Sequence, residues 1–318
     1  MADEFTRTED DYVLPFQIES SGARGRLVRM GPAITAILGQ HDYPPPVSNL
    51  LGEAMTLTAM LGAALKIDGK FILQTRSEGP VSFLVAHYYA PGNIRGYASF
   101  DQSAFEGVAD TRLAEGAKLL GDGHLAMTID QGPDMERYQG IVPLEGGNIS
   151  EAADLYFRQS EQLPTFIKIA VARQYEAGKD NKPGSWSWRA GGLMVQKLTD
   201  EGGGERRTNG HDSEDAWTRA QLLAATVEDH ELLDPALEPE RLLYRLFHEE
   251  RVRAFNATPI SAFCQCSRER VEQMLMSFSA EDIEDMAQDG AVQVTCEFCN
   301  SQYGFDAAEL GAKASTVQ

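Results

Sequence analysis

Cysteine, basic residues and long apolar runs are all scarce in this sequence. Its 318 residues contain 4 Cys, and 28 Lys and Arg stand against 48 Asp and Glu, which gives a formal net charge of -20. This acidity disfavours nucleic acid and anionic lipid as partners, because both are bound mainly through Lys and Arg. The longest apolar run, at 50–65, is too short to span a bilayer and contains Glu53. We therefore expect neither a nucleic-acid partner nor a membrane partner.

Targeting and catalytic motifs are also missing. The N-terminus, MADEFTRTEDDY, lacks the basic-then-apolar order of a signal peptide. No G-x-S-x-G, Walker A loop or G-x-G-x-x-G occurs, and His248 in FHEERV is followed by Val252 where a zincin has its second His. We therefore expect a cytoplasmic protein that is not an enzyme, with no catalytic residues and no organic cofactor.

The first two hundred or so residues mix strand and helix patterns without the regular alternation of a doubly wound sheet. Apolar spacing predicts a helix over 47–65, and Ser150 is expected to cap a second helix in ISEAADLYFRQSEQ. We predict an α+β fold, with a core of mixed sheet and helix over 1–207. The runs that predict strands in its first part are YVLPFQI, GRLVRMG, KFILQTR, VSFLVAHYY and IRGYASF.

Glycine and charge interrupt this pattern at 201–215, as in a loop or linker. Beyond that loop, Ser213 precedes one stretch with helical apolar spacing and Pro239 opens another. Each predicted helix has one apolar stripe on a charged surface, so each must dock on another element to be stable. We predict a helical linker at 208–258 whose docking is conditional.

All four cysteines lie near the C-terminus, as a C-x-C pair and a C-x-x-C pair. Two such pairs can supply the four ligands of a tetrahedral Zn²⁺ site. Four thiolates leave no open position for a catalytic water, so such a site would be structural. Ser267 as a cap, and Ser279 with Asp282 as a capping box, predict two helices between the pairs, and the second pair is expected at the tip of a hairpin. We predict one structural Zn²⁺ per chain in a module at 259–318. Its ligands would be Cys264, Cys266, Cys296 and Cys299.

Thiolate ligands would make this module sensitive to oxidants. A structural zinc site can contribute about 10 to 16 kcal/mol of apparent folding free energy, and oxidation of the thiolates removes the ligands. Cys264 with Cys266, and Cys296 with Cys299, are each close enough in sequence to pair, although four cysteines allow three connectivities. The spacing leaves open whether the metal only staples the module or belongs to a switch.

Two other functions use the same cysteines. A thiol–disulfide oxidoreductase acting through Cys296 and Cys299 requires its C-x-x-C at the start of a helix, which the hairpin pattern disfavours. A zinc ribbon that binds nucleic acid is disfavoured by the net charge.

Longer blocks of the sequence are similar to the redox-regulated heat shock protein 33 chaperones, in the family's order and over nearly the whole chain. These blocks are GPVSFLVA, IRGYA, GHLAMTIDQG, YQGIVPLEGGNISEAADLYFRQSEQLPT, RAGGLMVQKL, RLFHEE and CQCSRERVEQML. The resemblance implies an ATP-independent holdase that is inactive when reduced and zinc-bound.

The resemblance also implies how such a protein is activated. Hypochlorite, or peroxide with heat, would form the disulfides Cys264–Cys266 and Cys296–Cys299, release zinc, and unfold the terminal module and the linker. The activated form would be a homodimer that binds unfolding client proteins.

Overall fold

A computed structural model describes residues 10–65, 69–106, 119–132, 135–144, 148–177, 183–198 and 210–317. Most of the predicted loop at 201–215 lies outside these ranges. The chain divides into two units, Met1–Ala262 and Phe263–Gln318. Within the described ranges, no helix combines the length and the apolar character that crossing a bilayer requires.

A first six-stranded sheet brings together strands that are far apart in the sequence. Its strands are β1 (Tyr12–Ile18), β2 (Ala23–Met30), β8 (Thr165–Glu176), β9 (Ser185–Gln196), β10 (Val252–Ala254) and β11 (Thr258–Pro259). Their order is β10-β1-β2-β9-β8, and β11 also pairs with β1. All of these pairings are antiparallel.

A second six-stranded sheet has the order β12-β5-β4-β3-β6-β7. Its strands are β3 (Lys70–Ser77), β4 (Phe83–Tyr89), β5 (Asn93–Ser99), β6 (Gly123–Asp130), β7 (Tyr138–Pro143) and β12 (Ser261–Ala262). Only the pairing of β12 with β5 is parallel. The five strands that the sequence predicts in the first hundred residues all form, as β1 to β5.

The larger apolar core of the first unit forms around the helix Pro45–Gly62, which contacts strands of both sheets. The helices here are α1 (Pro32–Leu38), α2 (Pro45–Gly62) and α3 (Ile149–Tyr156). Helix α2 confirms the helix predicted over 47–65. The predicted cap of α3 is wrong, because Asn148 Oδ1 accepts the N–H of Glu151 at 2.8 Å. Ser150 lies inside the helix, past the position from which a side chain can cap it.

The predicted linker contains three helices, α4 (Gly210–Ala224), α5 (Asp229–Leu233) and α6 (Pro239–Phe247), followed by a 3₁₀ turn at His248–Glu250. Helix α4 begins about one turn before Ser213, because apolar spacing marks only the part of a helix that docks. The two amphipathic helices are confirmed, and Pro239 is at the start of α6. The sequence did not indicate α5, since five residues are too few to show a period.

The second unit is small and consists of α7 (Arg268–Leu275), α8 (Ala280–Met286), β13 (Ala291–Thr295), β14 (Gln302–Asp306) and α9 (Ala307–Val317). The predicted caps are confirmed, since Ser267 accepts the N–H of Arg270 and Ser279 with Asp282 forms a capping box. The buried side chains of its core are Leu275, Ile283, Val292, Phe305, Leu310 and Ala314. A core of this size needs additional stabilisation to fold on its own.

Candidate metal centre

The structure brings the four cysteines of the second unit together. Cys264 and Cys266 lie just before α7, and Cys296 and Cys299 lie in the turn between β13 and β14. Their four Sγ atoms all lie within 4.8 Å of one another. Two close separations join the two sequence pairs: Cys264 Sγ is 3.7 Å from Cys296 Sγ, and Cys266 Sγ is 3.1 Å from Cys299 Sγ.

The hairpin turn holds the second pair in place. The N–H of Cys296 donates to the carbonyl of Ser301 at 2.9 Å, and the N–H of Asn300 donates to the carbonyl of Cys296 at 2.8 Å. Asn300 has a φ of 54°, a left-handed conformation that asparagine tolerates better than most residues. The local sequence therefore folds both thiols of the C-x-x-C onto one turn, where the C-x-C meets them.

This arrangement fits a four-coordinate zinc ion. A tetrahedron with Zn–S bonds of ~2.3 Å places its sulfurs ~3.8 Å apart, within the range of separations found here. Cys264, Cys266, Cys296 and Cys299 would hold the ion as thiolates. Bound zinc would supply cross-links between the start of the unit and its hairpin, and the all-sulfur donor set suits a structural role.

Cys266, Cys296 and Cys299 differ in their pKa values when no metal holds them. Burial raises the pKa of Cys266 to about 12, and burial also raises the pKa of Cys296. Burial acts in the same direction on Cys299, but hydrogen bonds with Ser301 and the neighbouring thiols outweigh it and lower the pKa to about 7. Cys299 is therefore more readily a thiolate near neutral pH than Cys266 or Cys296.

Tyr303 of β14 adds a hydrogen bond from outside the cysteine cluster, since its hydroxyl donates to Cys266 Sγ at 3.2 Å. Partners that orient a metal ligand in this way commonly affect metal affinity about 10- to 100-fold. We expect Tyr303→Phe to weaken zinc binding by about tenfold, as measured by competition with a chromogenic chelator. Tyr244→Phe, which removes a phenol from the first unit, is the control. Equal affinity in both variants would show that the hydroxyl does not support the ligand.

A second candidate site lies in the first unit, where the linker helices cover one face of the first sheet. Side chains of β1 alternate between the two faces: Val13 joins the core around α2, whereas Leu14 and Phe16 point to the linker. The ring of Phe247, from α6, stacks on Phe16 with 5.7 Å between centroids. The buried residues that meet on this linker face are Tyr12, Leu14, Phe16, Ile18, Ala23, Leu27, Ala170, Leu193, Val195, Trp217, Ala220, Ala224, Val227, Leu232, Leu242, Leu243, Leu246 and Phe247.

The buried carboxylate of Glu250 links the last helical turn of the linker to α4 and to the β1–β2 turn. Glu250 accepts hydrogen bonds from Arg219 Nε at 3.0 Å and from the hydroxyl of Ser20. Burial opposes ionisation of Glu250, but these hydrogen bonds outweigh it and lower its pKa. The sequence drew attention to Glu250 only through the FHEERV stretch, and its partners in α4 and in the β1–β2 turn could not be identified without the fold.

The position of the C-x-x-C bears on the oxidoreductase alternative. Cys296 and Cys299 lie in a hairpin turn, so the helix start that lowers the pKa of a thioredoxin-type thiol is not present there. The fold and site instead define an α+β protein with a docked helical linker and a small unit built around four thiols.

Comparison with known proteins agrees with this class. The sequence model described as Hsp33 protein matches residues 11–306. The 33 kDa chaperonin of Caulobacter vibrioides is 44% identical over 300 residues, covering 93% of this chain and 95% of the relative. That of Nitrosococcus oceani is 38% identical over 296 residues, covering 93% and 91%. This chain belongs to the Hsp33 family of chaperones.

A solved structure shows the same fold at lower sequence identity. The crystal structure of the 33 kDa chaperonin of Thermotoga maritima, a heat shock protein 33 homologue, superposes with a TM-score of 0.74 at 23% identity. The match covers 96% of this chain and 98% of the other.

Proposed function

We propose that the protein is a cytoplasmic, redox-regulated and ATP-independent holdase. In the reduced state, Zn²⁺ on the four cysteines keeps the second unit folded and the linker covers the first sheet. After oxidation the linker leaves, and the exposed apolar face binds unfolding client proteins and prevents their aggregation. The observation that carries the proposal is this covered face, because an apolar sheet surface of this extent is suited to binding unfolded chains.

Activation begins at the thiolates. With a peroxide, a cysteine thiolate attacks one oxygen, the O–O bond breaks and hydroxide leaves, which produces a sulfenic acid. A second thiolate attacks that sulfur, the S–S bond forms and the oxygen leaves as a second hydroxide. Each disulfide thus transfers two electrons to one oxidant molecule, and four cysteines consume two. Thiolates used in this way no longer serve as metal ligands, so zinc is released.

Which cysteines pair decides whether the oxidised second unit unfolds or is stabilised by a new cross-link. A bond between Cys264 and Cys296, the 3.7 Å pair, would close a long loop and constrain the unfolded chain, with a stabilisation of about 3 to 4 kcal/mol. Bonds between sequence neighbours, Cys264–Cys266 and Cys296–Cys299, close short loops and replace little of the lost stability. We propose the neighbour pairs, since only they allow the unit to unfold.

Disulfide mapping tests this choice. The oxidised protein is digested, and mass spectrometry is expected to find Cys264 linked to Cys266, and Cys296 linked to Cys299. Reduced protein alkylated before digestion is the control for exchange during handling. A predominance of links between the two pairs would contradict release by local disulfides, because such links would hold the unit together.

Unfolding of the second unit would affect the linker through the segment of chain that joins them. Residues 252–262 follow the last helical turn of the linker, lead to the second unit and pair with the sheets through the short strands β10, β11 and β12. Short edge pairings and a docked amphipathic linker belong to the least stable parts of a fold. The released sheet face would then be free for clients and for a homodimer contact in the activated form.

The experiment that tests the holdase follows light scattering of a heat-unfolding client. Reduced zinc-loaded protein and oxidised protein are compared while released zinc is titrated. We expect suppression of aggregation only after oxidation, with about one zinc released per chain, the stoichiometry of a four-thiolate site. Equal suppression in both states would leave a chaperone with a purely structural metal, and no suppression in either would exclude the holdase.

A further inference from the structure

We propose that Arg29 and Arg189 of the first sheet hold the main chain of α5 by hydrogen bonds and thereby set how easily the linker undocks. We call this pair of arginines the clasp. The proposal rests on the proposed function, because it assigns the regulation of the same covered face. Both arginines are buried, at 2% and 7% exposure, as are few other charged residues in the described part of the first unit. Both arginines direct donors to backbone carbonyls of the linker.

Arg29 of β2 donates to three carbonyls of the linker's main chain. Its Nε donates to the carbonyl of Leu232 at 3.1 Å, and one terminal nitrogen donates to the carbonyl of Glu231 at 3.0 Å. The other terminal nitrogen donates to the carbonyl of Leu237, beyond the end of α5. A planar guanidinium with its donors in a fixed fork suits this task, which a lysine ammonium would fill poorly.

Arg189 of β9 binds the next carbonyl along α5. Its Nε donates to the carbonyl of Leu233, the last residue of α5, at 2.6 Å. Its terminal nitrogens form a bidentate ion pair with Asp10, which precedes β1. The carboxylate orients the guanidinium, so Arg189 is held ready for the carbonyl.

Three of the four bonded carbonyls, those of Glu231, Leu232 and Leu233, belong to the end of α5. The last four carbonyls of a helix have no intrahelical donor, and positive charge near them is favourable. A helix of five residues is too short to persist by itself in water. The clasp therefore supplies what α5 lacks, and in doing so it fixes the middle of the linker, between α4 and α6.

Gly191 of β9 makes the close approach possible. It pairs with Arg29 across β2 and β9, directly beneath the linker. A Cβ at this position would overlap the carbonyl oxygen of Leu232. The carbonyl to which Arg29 Nε donates can therefore approach the strand only because residue 191 has no side chain.

Two full-length variants test the clasp by different means. Arg29→Met removes the donors, whereas Gly191→Ala keeps both guanidinium groups and pushes the Leu232 carbonyl away. Arg24→Met is the matched control, since Arg24 is an exposed arginine of the same strand. Hydrogen–deuterium exchange is measured by mass spectrometry on reduced, zinc-loaded protein.

We expect exchange of the amides of 226–247 to accelerate at least about tenfold in Arg29→Met and in Gly191→Ala, as the loss of several charge-assisted hydrogen bonds implies. The control should match the unmodified protein, and exchange of 268–306 and zinc content should be unchanged in all three. The amount of hypochlorite needed for half-maximal client capture should fall in the same two variants.

The outcomes for the clasp and for the holdase are separable. Unchanged linker exchange in Gly191→Ala and in Arg29→Met would overturn the clasp, whatever the chaperone assay gives. If Arg29→Met fails to fold, Gly191→Ala alone decides. Faster linker exchange without client capture by any oxidised form would contradict the proposed function while the clasp stands.

Discussion

Replacing Cys299 with serine is expected to abolish zinc binding and to unfold the second unit in the fully reduced protein. Three thiolates remain, and the neutral hydroxyl of serine is a poor substitute for a thiolate ligand. Structural zinc contributes about 10 to 16 kcal/mol of apparent folding free energy, more than the net stability of most domains. The apolar core of this unit has few buried residues to offset such a loss.

Three measurements on Cys299→Ser follow from this expectation. Zinc content should fall from about one per chain, the stoichiometry of a four-thiolate site, to near zero. Amides of 268–306 should exchange rapidly, and aggregation of a heat-unfolding client should be suppressed without oxidant. Glu297→Ser is the control, since Glu297 is an exposed residue of the same turn. A Cys299→Ser protein that stays folded with zinc bound would contradict the assignment of Cys299 as an essential ligand.

Replacing Phe247 with alanine is expected to make the reduced protein a constitutive chaperone with its zinc still bound. Phe247 is fully buried on the linker face and stacks on Phe16. Truncation of a buried phenylalanine typically costs about 3 to 5 kcal/mol. Here that cost falls on the docking of α6, so the population of undocked linker should rise by at least about a hundredfold.

The control for this prediction is on the same helix. Tyr244 of α6 is 66% exposed, so Tyr244→Ala removes an aromatic ring without uncovering the sheet. Client capture by reduced Phe247→Ala, with normal zinc content and with Tyr244→Ala inactive, is the expected result. Inactivity of reduced Phe247→Ala despite rapid exchange of the linker amides would show that the linker face is not the client surface.

Cys299→Ser and Phe247→Ala are both expected to expose the same sheet face, but by different steps of the proposed switch. Cys299→Ser acts through the metal centre, and Phe247→Ala acts on the linker alone. If both bind clients, exposure of the sheet face is sufficient for activity and zinc release is only the natural route to it. Activity of the cysteine variant alone would indicate that the unfolded second unit itself takes part in client binding.

Local patterns accounted for most elements of the fold. The strands β1 to β5 and the amphipathic helices α4 and α6 show apolar spacing that only one kind of element satisfies. The caps of α7 and α8 depend on residues within one turn of each helix, so they too could be predicted. Ser150 was a wrong choice over Asn148, because both residue types cap helices and the choice depends on where the chain enters the turn.

Other elements carried no local signal. Helix α5 is five residues long and shows no period. The pairing of β2 with β9 joins residues more than 150 positions apart, and no local rule specifies it. The clasp of Arg29 on the carbonyls of α5 follows from that pairing, since side chains that bind main-chain atoms leave no complementary pattern in the partner's sequence.

The sequence by itself indicated a site of four thiols near the C-terminus and two helices that must dock to be stable. Two close pairs of cysteines, and one apolar stripe on each helix, indicate these features from residue type and spacing alone. Only the tertiary structure decided which surface the linker covers, that the two cysteine pairs meet and which arginines donate to the linker's carbonyls. The physical reason is that spacing records what a segment must bury or bind, whereas the partner is selected by long-range packing among many apolar faces of similar free energy.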